Sequence, residues 1–160
     1  MVKAKLKNHS AFLCVLFAVI AAIVLRQIGF QSEDPFDWIC AFLRSVIYIG
    51  LFAAWGISVR GRVIQPQVRR YLTAISVLMV FWVTARTIRH IIAKDPWVLR
   101  HLWYLYYLPM LFIPMLAVLV ALSLGKPENY RLPNWTKLIY IPTTVLLLLV
   151  LTNDLHQLVF

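Results

Sequence analysis

Carboxylates are scarce in this chain. Its 160 residues include six Asp and Glu against 16 Lys and Arg, a formal charge of +10. The few acids form no pair of the kind a glycosidase uses, and Glu33, Asp34 and Asp37 crowd into one short polar stretch. Glycine is also rare, with five residues and none in a run that cradles phosphate, so an ATP-binding loop is excluded. No Ser, Cys or Thr nucleophile stands beside a paired base, which leaves no enzyme constellation. The two cysteines, Cys14 and Cys40, fall near opposite faces of the bilayer in the topology below. That distance rules out a disulfide, and they read as small apolar side chains.

Apolar residues, by contrast, make up 62% of the chain, and the mean hydropathy is +0.79. A bilayer-spanning helix needs about 20 predominantly apolar residues, and runs of that kind consume most of the chain. The fold class is therefore all-α: a polytopic transmembrane helical bundle of about five spans, read as one membrane domain over 1–160. The spans fall at about 11–28, 38–59, 71–92, 101–124 and 138–158. Lys3, Lys5 and Lys7 precede the first span. It runs on through Ile23, Val24 and Leu25 without the polar region that sets off a signal-peptide cleavage site, so it reads as uncleaved. Within it Ala18 and Ala22 form a small-xxx-small pair, a spacing that alanine reaches often in such helices.

Basic residues set the orientation. Lys3 to Lys7, Arg60 to Arg70, and Lys126 to Lys137 flank apolar runs on one side of the topology, while nearly all the acids fall on the other. The positive-inside rule then places the N-terminus in the cytoplasm and the C-terminus outside. The same charge would suit nucleic acid in a soluble protein; flanking apolar runs, it suits anionic lipid, and nucleic acid is not an expected partner.

Placed on this topology, Arg86, Arg89, His90, Asn153, Asp154 and His156 all fall near the outer face. Arg86, Arg89 and His90 are spaced i, i+3, i+4 and share one side of the third span. Ionisable residues inside spans point to function because leaving them unpaired is expensive. These six form the candidate ligand or sensing site, with a structural Asp154 pairing to Arg86 or Arg89 as the plainer alternative. Trp38, Trp97, Trp103, Tyr104, Tyr106 and Tyr107 at the same level read as an interfacial aromatic belt. Arg44, about 9 Å inside the second span, either snorkels outward or pairs within the bundle. His90, His101 and His156 lie at one level, but no two share a helix at ligand spacing. No metal and no cofactor is expected. Pro109 and Pro114 interrupt the fourth span, each freeing the carbonyl four residues earlier, at Leu105 and Met110. They are the candidate helix hinge.

The run Trp103-Tyr104-Leu105-Tyr106-Tyr107-Leu108-Pro109-Met110-Leu111-Phe112-Ile113-Pro114, a short loop, and a proline-started helix ending Thr152-Asn153-Asp154-Leu155-His156 resembles a known family. It is similar to the N-terminal seven-helix sensor region of bacterial membrane histidine kinases, where an aromatic, proline-containing helix precedes one ending Thr-Asn-x-x-His. Pro109, Pro114, Thr152, Asn153 and His156 carry the likeness. The resemblance implies a signal-sensing input region without enzymatic activity of its own. Kinase chemistry would reside in an output domain beyond Phe160, of which this chain would be the front fragment. A homodimer, a cytoplasmic signalling partner and the bilayer are the partners that fit. The likeness departs from the family in holding five spans and in adding a basic, inward-starting helix before the rest. A small membrane transporter, channel subunit or assembly partner is the alternative, although no inverted repeat accompanies it.

Overall fold

A computed structural model describes residues 2–31, 36–91, 95–128 and 130–153, with side chains described for 11–29, 36–89, 95–128 and 130–153. The elements are α1 (Val2–Gln31), α2 (Phe36–Arg62), α3 (Pro66–Ile91), α4 (Pro96–Leu105), α5 (Tyr107–Ser123), a 3-10 turn (Asn134–Ile139) and α6 (Tyr140–Leu151). Among the described residues there is no strand. Among the described residues, five helical stretches are long and apolar enough to cross a membrane: Ala11–Gly29, Phe36–Arg62, Pro66–Arg89, Pro96–Ser123 and Asn134–Leu151. This is the all-α, five-span architecture expected from the apolar runs. Residues 154–158, the expected end of the fifth span, lie outside the described residues.

The helices begin earlier than the apolar runs because their caps are polar. Asp95 is the N-cap of α4: its carboxylate accepts the Trp97 N–H at 2.9 Å, and Pro96 follows at a position where a helix needs no amide donor. Pro66 opens α3 in the same way, five residues before Tyr71. At the other end of α5, Gly125 adopts φ 74° and Pro127 follows, so the helix cannot continue. Pro142 falls in the first turn of α6, where its missing N–H costs no intrahelical bond.

Hydrocarbon-facing surfaces account for the exposed apolar side chains. Phe12, Phe17 and Ile23 on α1 and Leu146, Leu148 and Leu151 on α6 are all exposed. Water would make such surfaces unstable; a bilayer solvates them.

The chain divides into two compact units, residues 1–51 and 52–160. In the first, small residues are the buried ones: Ala22, Cys40 and Ala41. Ala22 is the second member of the small-xxx-small pair, while Ala18 is half-buried. A side chain at Gly29 would come within 2.9 Å of Asp37 Oδ1 and 3.2 Å of Cys40 Cβ, so glycine sets how closely α1 and α2 approach there. Cys14 is exposed, Cys40 is buried, and both are free thiols.

The second unit is built on α3 and α5. Ile75 meets Met115, Leu116 and Leu119, with Tyr71, Leu78, Phe112 and Tyr140 packed around them. The α2 end of this unit docks through a glycine. Ser76 donates its hydroxyl to the Phe52 carbonyl at 2.7 Å, and a Cβ at Gly56 would collide with Ser76 Oγ and sit 2.9 Å from Ser76 Cβ. The serine therefore occupies the space that glycine leaves. Gly56→Leu should destabilise the protein by about 2 kcal/mol or more through overpacking, and Ser76→Gly in the same chain should recover part of the loss. Thermal unfolding in detergent checks both; an unchanged midpoint for Gly56→Leu would show that this contact does not hold the helices.

Candidate functional site

The site is written in the spacing of two helices. On α3, Met79, Trp82, Arg86 and Arg89 recur at intervals of three, four and three residues, which places them along one face. Trp103, Tyr106, Met110 and Ile113 recur at three, four and three along α4 and α5. These two stripes line a single groove of about 580 Å³, together with Tyr107, Pro109 and Pro114. Its volume is within the range of small-molecule sites, about 300–1,000 Å³. Exposures of 44% at Trp103 and 68% at Met110 leave it open along its side.

The chain breaks at this groove. Helix α4 ends at Leu105, Tyr106 makes a single turn residue whose N–H bonds to the Trp103 carbonyl at 3.2 Å, and α5 resumes at Tyr107. Pro109 has no N–H for the Leu105 carbonyl, and the break falls at that carbonyl. Pro109 is fully buried, so the altered backbone is packed in place. Pro114 sits inside α5 without ending it, on the exposed side. The two prolines, equivalent in sequence, therefore differ: one interrupts the helix and the other leaves a local gap in its ladder.

Among the described residues, the charged side chains of the groove are both positive. Arg89 Cζ lies 4.6 Å from the Trp103 ring centroid and 5.8 Å from that of Tyr106, and the two rings meet edge to face at 5.7 Å. This holds the guanidinium by charge–quadrupole attraction. No hydrogen-bond acceptor or carboxylate meets Arg86 or Arg89 among the described residues. Two like charges lining one groove repel each other. An anion between them relieves that repulsion. The Tyr106 hydroxyl is buried with no hydrogen-bond partner among the described residues, a second polar group left unsatisfied in the same place.

Of the residues expected from sequence, the structure brings Arg86, Arg89, Pro109 and Pro114 into this one groove. Asn153 is buried at the end of α6 and does not line it. Its neighbour Thr152 is exposed and donates its hydroxyl to the Leu148 carbonyl at 2.7 Å. Asp154, His156 and the side chain of His90 lie outside the described residues. Trp103, Tyr106 and Tyr107, assigned by sequence to a belt, are groove walls as well. Met79, Trp82 and Met110 line it too, and their spacing from the arginines and aromatics is the sequence signal for it. His101 is engaged by its own helix: its Nδ1 lies 2.8 Å from the Trp97 carbonyl, and its ring is 4.1 Å from the Trp97 ring. No group of three His, Cys, Asp or Glu side chains suited to a metal occurs among the described residues. Arg44 is half-buried, with no ion-pair partner among the described residues.

At the opposite end of α3, a polar cavity of about 680 Å³ is rimmed by Arg70, Arg131 and Lys137. There Gln67 accepts the Leu132 N–H at 3.2 Å and donates to the Tyr71 hydroxyl at 3.0 Å, tying the 126–133 loop to the start of α3.

A family model described as the N-terminal 7TM region of histidine kinase matches residues 38–160. The match opens at the start of the second span and leaves α1 outside it. Neither a curated protein nor a solved structure matches the chain.

Stacking under Arg89 should be measurable. A double-mutant cycle on Arg89→Gln and Trp103→Leu is expected to give a coupling of about 0.5–1 kcal/mol in detergent unfolding. Additive effects would show that the ring and the guanidinium do not interact.

Proposed function

From the premise that this chain belongs to the family of N-terminal 7TM regions of histidine kinases, we propose that it is the sensing part of a bacterial signalling protein, with the Arg86–Arg89 groove as its input site. A multi-pass membrane region of this family is sensory and not itself catalytic. In this reading the N-terminus is cytoplasmic, the groove opens toward the outer face of the plasma membrane, and a phosphotransfer output lies in a further domain or a cytoplasmic partner. The loop charges support that orientation: Arg60, Arg62, Arg69 and Arg70 lie together at the end of α3 away from the groove.

The observation that carries the proposal is coincidence in space. The arginine face of α3, without acceptors among the described residues, and the break between α4 and α5 belong to one groove. An anion drawn to Arg86 and Arg89 would pull on Trp103 and Tyr106, which sit on either side of the Leu105 carbonyl that Pro109 leaves free. A ligand shifts a two-state element only by its differential affinity for the two states, and this junction is where binding and backbone geometry meet. Pro109 and Pro114 would act as the hinge that couples the site to the opposite end of α5, at Ser123 and Gly125. By sequence position alone, His90, Asn153, Asp154 and His156 would fall toward the same outer side of the membrane.

In cells carrying the chain with its output domain, Arg86→Gln combined with Arg89→Gln should reduce the signal-dependent output at least tenfold, with the protein still inserted at wild-type amounts. A normal response from that variant would reject the site. Substrate-dependent flux through the purified chain in liposomes would reject the sensor reading in favour of transport.

A further inference from the structure

The shape and chemistry of the groove narrow what it takes. We propose that it binds an amphiphilic anion: a carboxylate or phosphate head held by Arg86 and Arg89, with a single apolar chain lying down the groove toward Met79 and Ile113. This inference rests on the groove being the input site and adds the class of its ligand.

Three observations converge. First, the polar and apolar parts are segregated along the groove. Arg86 and Arg89 stand at one end of the α3 stripe and Met79 at the other, with about 15 Å of helix between Met79 and Arg89. That is half of a hydrocarbon core about 30 Å thick, the depth of one leaflet. A small hydrophilic anion would leave the Met110 and Ile113 end unfilled, whereas a chain-bearing one matches both ends.

Second, the donors are available and of the right kind. Guanidinium groups recognise carboxylate and phosphate through paired N–H donors. Neither Arg86 nor Arg89 spends a donor on an acceptor among the described residues, because the attraction of Arg89 to Trp103 is electrostatic and uses no N–H. The Tyr106 hydroxyl, buried and without a hydrogen-bond partner among the described residues, is a further unspent donor on a residue that lines the groove.

Third, the groove is open along its side where the walls are apolar, as the exposure of Met110 shows. A chain-bearing ligand can enter laterally from lipid, with its head remaining at the arginine level. Trp82 and Trp103 flank that level from the two helices and would close over the upper part of the chain.

The test uses the whole chain in nanodiscs of zwitterionic lipid and three photoreactive probes that share one alkyl chain. Their heads are carboxylate, phosphate monoester and alcohol. Crosslinks are mapped by mass spectrometry. The expected result is saturable labelling within residues 79–89 and 106–114 by a charged-head probe, at least tenfold above the alcohol; comparison of the two charged probes identifies the head group. Arg86→Gln with Arg89→Gln should bring labelling down to the alcohol level, and Arg86→Lys with Arg89→Lys, which keeps both charges, should retain the preference. Equal labelling by all three heads, labelling spread over every helix, or full labelling of the Gln variant would overturn the proposal. If the heads label equally while the Gln variant still loses signal output, the ligand class fails and the input site stands. If the charged heads label as expected while the Gln variant signals normally, the ligand class stands and the input reading fails.

Discussion

Hydrocarbon offers no hydrogen bonds, and most of this structure follows from that constraint. Each backbone amide must be satisfied by its own helix, so every apolar run becomes a helix. Hydroxyls obey the same rule. Ser45, Thr84, Thr87, Ser123 and Thr143 each donate to the carbonyl four residues back, on Ala41, Val80, Val83, Leu119 and Ile139. Ser76 does it across helices and thereby fixes α2 against α3 at Gly56. Polar groups that do not obey the rule stand out. Among the described residues, several meet where α3 ends and α4 breaks: two arginines without acceptors, a buried tyrosine hydroxyl and a proline-freed carbonyl; the buried Gln65 Nε2, also without a partner, lies at the other end of α3.

That concentration links stability to function. A span built only for anchorage would end its arginines in interfacial water or beside a carboxylate. Here Arg89 rests on aromatic rings, its charge held but its donors unspent. The rings it rests on flank the one place where the α4–α5 backbone departs from a continuous helix. Ligand charge, aromatic packing and backbone register thus meet within one groove, and a change in any of them reaches the others through direct contact.

Much of the fold was legible because runs of about 20 apolar residues have one solution in a bilayer. Helix starts were less so: Pro66 and Asp95–Pro96 cap their helices in polar surroundings, beyond the hydrophobic signal used to place the spans. The site was half legible. Arg86 and Arg89 declared themselves by charge inside a span and by i, i+3 spacing. Trp82 and Trp103 did not: Trp103, near a span end, reads equally as an interfacial anchor, and Trp82, mid-span, reads as one more apolar side chain, so only the matching three-four-three spacings mark them as facing walls. Pro109 and Pro114 looked alike in sequence. Which of them interrupts the helix was decided by packing, with Pro109 buried and Pro114 exposed, and packing is a non-local property. Asn153 carried the family likeness but lies apart from the groove, while Asp154 and His156 fall outside the described residues.

An input site must face the compartment its signal comes from, so the decisive measurement is accessibility at the two ends of α3. With Cys14 and Cys40 replaced by Ser, single cysteines at positions 86 and 60 would be probed in intact cells with a membrane-impermeant maleimide. Rapid labelling is expected at position 86, and none at position 60 until the cells are permeabilised. Labelling at position 60 with protection at position 86 would invert the topology and contradict a groove that reads the outside.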